Sequence, residues 1–273
     1  MQQIITWWRK KRHEREFLRQ LKVVSSNVPP AQIEAEVVTL LKGMLHGDAV
    51  LQHVCMELLR KANSRRIAQA LCSHLGAVWP DSWHRRDAKA TRFYQRMIEL
   101  LSANQSEDAI EAQILLALVG QGSVREDALQ VLRRVSTPSL VEHAMLFLLL
   151  KECMLTNFPT WLKRYYVGTV LAGLIVLVYI LTLAPAFSLK VWLVSFVSMC
   201  LGAGFWTWLQ VNAVLHNLRD QQEVLLLLMK DFLQKQGGTT TLRKIVAQRV
   251  YYLQRKLRMT SAEEHIPSIS THQ

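Results

Sequence analysis

Two stretches without a single charged residue constrain this chain more than anything else in it. They are VGTVLAGLIVLVYILTLAPAF at 167–187 and VWLVSFVSMCLGAGFWTWL at 191–209, separated only by SLK. At about 1.5 Å per residue, a helix of either length crosses a hydrocarbon layer of about 30 Å. The pair predicts a transmembrane helical hairpin. Trp161, Tyr165 and Tyr166 precede the first run, and Trp192, Trp206 and Trp208 stand at the ends of the second, all at depths where an amphipathic ring is stable. Pro185 and the short connection end the first helix and force an immediate return. Gly168 and Ala172 share one face of the first helix and Ser198 and Gly202 one face of the second, so small residues four apart allow close backbone approach.

Basic residues near the ends set the orientation. Lys151, Lys163 and Arg164 lie before the first run, Arg219 and Lys230 after the second, and only Lys190 lies in the turn. The positive-inside bias then puts both termini in the cytoplasm; for a bacterial chain the membrane is the inner one. Neither run contains Asp, Glu, Lys, Arg or His, the groups that proton relays and ion-coupled carriers need. The hairpin reads as an anchor. The alternative is an oligomeric pore or membrane-remodelling hairpin, whose polar lining would come from Ser195, Ser198 and Thr207.

The formal charge of +12 belongs to the ends: residues 1–22 and 242–258 together carry +11 of it. The first segment, MQQIITWWRKKRHEREFLRQLK, sets Trp7 and Trp8 beside Arg9, Lys10, Lys11 and Arg12. Its charge follows the apolar residues, and Glu14 and Glu16 interrupt it, which argues against a secretory signal or a transit peptide. The second, LRKIVAQRVYYLQRKLR, aligns Leu242, Val246, Val250, Leu253 and Leu257 on one helical face. Arg243, Lys244, Arg249, Arg255, Lys256 and Arg258 lie mostly elsewhere around that helix. Beside two spans, both ends read as membrane-surface segments that bind anionic lipid head groups in preference to nucleic acid.

The remainder is helical in pattern, with no convincing alternation and hence no predicted strand. SSNVPP (25–30) reads as a linker, because proline disfavours helix in the residue before it. Helices are expected at 31–44, 48–62, 64–78, 86–104, 106–119, 123–135 and 138–156. Ser64, Ser106 and Ser123 are candidate caps, and Ser123 with Glu126 and Ser139 with Glu142 have capping-box spacing. The stretch EDAIEAQILLALVGQGSVREDALQVLRRVSTPSLVEHAMLFLLL resembles HEAT-type repeat sequence: paired short helices of small and large aliphatics with a charged turn between. Over residues 36–150 the resemblance implies a helical-repeat, α-solenoid protein-binding scaffold; a plain irregular helical bundle fits the same pattern. AMLFLLL (144–150) is too short to span and reads as a core helix.

After the hairpin, Val211, Val214, Leu218, Leu225, Leu228 and Phe232 form a stripe interrupted by Gln221. It suits either a second copy of the chain or the preceding domain. Gly237-Gly238 should break that helix, and the threonines 239–241 should cap the next.

No catalytic or metal motif emerges. Cys55, Cys72, Cys153 and Cys200 are widely spaced, H-E-x-x-H, G-x-x-x-x-G-K and G-x-S-x-G are absent, and no His-Asp dipeptide occurs. His46 and His53 are seven apart; in WPDSWHRRD, Trp79, Trp83 and His84 form a possible partner loop. The expectation is an all-α protein in six parts. A basic amphipathic segment (1–24) leads to a cytosolic helical domain (31–156) and a transmembrane hairpin (161–210). A helical extension (211–236), a basic amphipathic helix (239–259) and a disordered tail (260–273) follow. Its expected role is a non-enzymatic membrane scaffold or assembly subunit, without cofactor or metal.

Overall fold

Pro29 and Pro30 mark where the first long helical series starts. Proline at the first helical position loses no hydrogen bond, and its fixed φ suits the turn, so Pro30 opens a helix instead of closing a linker. The computed structural model describes residues 12, 14–21, 28–78, 88–156 and 214–263. In chain order the helices are α1 (14–21), α2 (Pro30–Ala35), α3 (Val37–His46), α4 (Ala49–Lys61), α5 (Ser64–Val78), α6 (Ala88–Leu101), α7 (Glu107–Val119), α8 (Ser123–Arg133), α9 (138–156), α10 (214–234) and α11 (Thr240–Glu263). The fold is all-α, and no strand occurs among the described residues.

The expected helix at 31–44 is divided. Glu36 departs from helical geometry (φ −105°, ψ 13°), so α2 and α3 are separate. Some local chemistry was assigned to the right residue and some was not. Ser106 caps α7 by accepting from Ala109 N–H at 3.3 Å, and Thr239 accepts from Leu242 N–H at 3.3 Å at the start of α11. Ser64 and Ser123 are instead the first residues inside their helices. Asn63 accepts from Arg65 N–H at 2.9 Å ahead of α5, and Gly122, without a side-chain bond, is the N-cap of α8. Asp48, unremarked in the sequence, caps α4 through Leu51 N–H at 2.9 Å.

Helices α3, α5 and α7 neighbour one another in turn, and α8 packs on both α6 and α7. α7 lies at the centre: Ala109, Ile110 and the whole run from Ala112 to Leu118 are buried. A helix apolar on all sides has no solvent face to offer, so it must be enclosed. Close approach is also required where α1, α3 and α4 meet. A Cβ on Gly43 would lie 2.8 Å from Cys55 Sγ and 2.9 Å from Leu18 Cδ2.

One cluster of buried apolar residues runs from Phe17 to Leu253. The basic start is thus not a separate arm over its whole length. Phe17 and Leu21 enter the core, and Glu14 pairs with Lys42 at 2.7 Å. The stripe on α10 packs within this chain: Val214, Leu218, Gln221, Leu225, Leu228 and Phe232 are all buried. No helix among the described residues is long and apolar enough to cross a membrane. The two charge-free runs, with Gly168, Ala172, Ser198 and Gly202, lie outside the described residues.

Candidate functional site

The layer formed by α9, α10 and α11 holds most of the sequence-predicted site residues that are described. Its first feature is the corner between α10 and α11. Gly237 has φ +147°, and its Cβ position would fall 2.7 Å from Pro138 O, so the chain presses against the start of α9 where only glycine fits. Arg243 reaches back across this corner and donates to the carbonyls of Leu233, Lys235 (2.8 Å) and Gly237 (3.0 Å). Leu233 O is one of the acceptors that a helix end leaves without partners, and the other two lie in the corner just beyond it. Expected at a membrane surface, Arg243 is engaged with its own backbone. Lys235 does the same for α8, donating to Leu132 O at 2.7 Å and Arg133 O at 3.1 Å.

The second feature is a buried carboxylate. Glu152 on α9 is 1% exposed and lies 3.8 Å from Arg249 of α11. Burial pushes its carboxyl above the ordinary range, and the positive fields of Arg249 and Lys256 oppose that shift without cancelling it. Next to it in sequence, Lys151 points toward α7. Burial lowers its ammonium pKa against the opposing field of Glu111, and its Nζ stands 4.8 Å from the Phe147 ring centroid. Glu111 also bonds His143 at 2.9 Å.

The third feature is the direction of α11. Gly238 approaches Met145 Sδ, and eleven residues later Arg249 meets Glu152, so α11 runs in the same direction as α9. Leu242, Val246, Val250 and Leu253 face the protein core, and Leu257 is half-buried. The sequence grouped these residues correctly but gave them to the bilayer, whereas protein covers them. Lys244, Arg249, Arg255 and Arg258 remain exposed and Lys256 is half-buried. Beside them Tyr251 is 70% and Tyr252 51% exposed. Arg12 is exposed on the far side of the chain from these in sequence, while Trp7, Trp8, Arg9, Lys10 and Lys11 lie outside the described residues, as do Trp79, Trp83 and His84. On α9, Leu146, Leu150 and Met154 stand exposed at spacings of four, an apolar stripe that periodicity alone did not separate from the core residues of AMLFLLL.

Burial raises the thiols of Cys55 and Cys72 to about 12, which keeps both protonated and inert. Among the described residues no group of His, Cys, Asp and Glu could hold a metal ion. A cleft of about 230 Å³ opens between the α3–α4 corner and α6, lined in part by Asp48, Gln52, Arg92 and Arg96. Two of its polar groups are already occupied: Asp48 caps α4, and Gln52 donates to Gly47 O at 3.1 Å.

No family model matches the chain, and neither a curated protein nor a solved structure matches it.

Proposed function

We propose that the protein is a membrane-anchored, non-enzymatic scaffold or assembly subunit, whose helical body is held at the surface by the hairpin at 167–187 and 191–209. One observation carries the reading: the segments flanking the two charge-free runs share a single core. Lys235 closes α8 from 103 residues away, Arg249 meets Glu152, and the α10 stripe of Val214, Leu218, Leu225, Leu228 and Phe232 is buried in one core with the helices that precede the runs. A body built from both flanks requires the chain to leave and return on the same side, which an even number of crossings satisfies. Two runs of spanning length, joined by three residues, are the shortest way to do so. The basic residues at 151, 163, 164, 219 and 230 favour the cytoplasmic side for that body. The exposed stripe of Leu146, Leu150 and Met154 supports a binding role, since apolar side chains left in water at regular spacing suit a partner's surface.

Single cysteines in an otherwise cysteine-free chain test the anchor. In sealed vesicles an impermeant reagent should react at 186–189 and not at Ile5 or His265. Reaction at either terminal position overturns the reading. For the scaffold role, native purification in mild detergent should recover a protein whose yield falls with Leu150→Glu at unchanged thermal stability of the chain.

A further inference from the structure

We propose that the second half of α11 seats the helical body on the anionic surface of the membrane that holds the chain, through Tyr251, Tyr252, Arg255 and Arg258. The proposal rests on the two-span reading above and adds which surface of the body meets lipid. It departs from what the amphipathic pattern suggests, because the apolar face of α11 is already used by the core. What remains outward is a second face of different chemistry. Residues 251, 255 and 258 follow one another at spacings of four and three, so they lie in one row along the helix, with Tyr252 adjacent. Both tyrosines and both arginines are exposed. A phenol ring with a polar tip and a guanidinium on an apolar stem each suit the head-group region, where one end is wet and the other dry.

The position of this row favours a bilayer over a soluble partner. Because α11 runs in the same direction as α9, its basic end lies at the end of the body where α9 stops at residue 156. Eleven residues later the first charge-free run begins, a reach of at most about 40 Å. A surface tethered that close is present at high effective concentration, which a free partner lacks. Charge agrees. Residues 242–258 contain no acidic residue, and among the described residues no carboxylate pairs with Arg255. At an anionic leaflet each basic side chain is worth about fivefold in the docking equilibrium. Replacing Arg255 and Arg258 by glutamine should therefore shift it roughly thirtyfold.

The test uses the full chain with Cys153→Ser and Cys200→Ser, which leaves the buried Cys55 and the half-buried Cys72, and with Gln248→Cys carrying a fluorescent dye. It is reconstituted into phosphatidylcholine vesicles with or without phosphatidylglycerol, doped with a phospholipid whose head group bears a spin label. Quenching should be strong only with phosphatidylglycerol and should be lost with Arg255→Gln/Arg258→Gln. Equal quenching in both lipids, quenching in neither, or reversal by duplex DNA overturns the proposal. Alkaline carbonate treatment of the same vesicles separates the two readings. Release of the unsubstituted chain removes the anchor and the seating together, whereas a retained but unquenched chain removes the seating alone.

Discussion

Helices α1–α8 and the layer built by α9–α11 are stabilised in different ways. Among the described residues the buried polar side chains of the first region are Thr39 and Gln113, and those of the second are Lys151, Glu152, Gln221 and Gln222. The first region closes mainly through apolar contact, α3 on α4, α5 on α7 and α7 on α8, with α7 enclosed as a nearly dry rod. The second is fastened by charged side chains reaching partners about a hundred residues away, as Lys235 does to Leu132 and Arg249 to Glu152. Apolar contact is tolerant of small rotations, while a guanidinium or ammonium that must meet a particular carbonyl is not. The layer therefore gains a defined seating on the body at some cost in desolvation.

The largest effect that would test this contrast is in the dry region. Leu116 on α7 is fully buried. Leu116→Ala should cost about 3 kcal/mol, from lost transfer energy plus the cavity left behind. Thermal unfolding of the full chain in mild detergent measures it, and a loss under about 1 kcal/mol would show that α7 is not tightly enclosed.

Next comes the α10–α11 corner. Arg243→Ala leaves the carbonyls of Leu233, Lys235 and Gly237 without their donor and should cost about 2 kcal/mol. Amide hydrogen exchange should quicken at 237–250 before it quickens in α7. Equal acceleration in both regions would mean that body and layer open as one unit, and the contrast between them would fall.

The smallest effect has the opposite sign. A carboxyl whose folded pKa is raised binds its proton more tightly in the fold than in the unfolded chain. The ionised Glu152 thus carries a cost above its folded pKa, relieved as pH falls through that value toward the ordinary 4.5. Glu152→Gln should stabilise the chain by about 1 kcal/mol at pH 8, since Arg249 is half-exposed and turns to water without penalty. The advantage should vanish as pH approaches that of an ordinary carboxyl. Chemical denaturation of both chains across that range reads the difference, and an advantage independent of pH would rule out ionisation as its source.

Much of the helical pattern was legible before any coordinates, because helix ends are local events. α5 and α9 start and stop where periodicity and composition place them, and Gly237-Gly238 breaks the chain as a pair of glycines must. Where local reading failed, the competing group was one residue away: Asn63 and Gly122 hold the cap positions assigned to Ser64 and Ser123. The candidate site was only half legible. Arg243 looked like its basic neighbours on α11, since nothing in the sequence says that a helix end with empty carbonyls will lie within its reach.

The sequence by itself determined that the chain is helical, that its charge gathers at two ends, and that Leu242, Val246, Val250 and Leu253 share a face. Those properties follow from composition and from the 3.6-residue repeat, which any short segment carries alone. Only the tertiary structure decided what covers that face. An apolar stripe is equally stable against lipid or against protein, because both remove it from water, and the choice depends on which surface the rest of the chain brings near. Here the protein's own core covers it, and the exposed groups on the other side of α11 include Tyr251, Tyr252, Arg255 and Arg258.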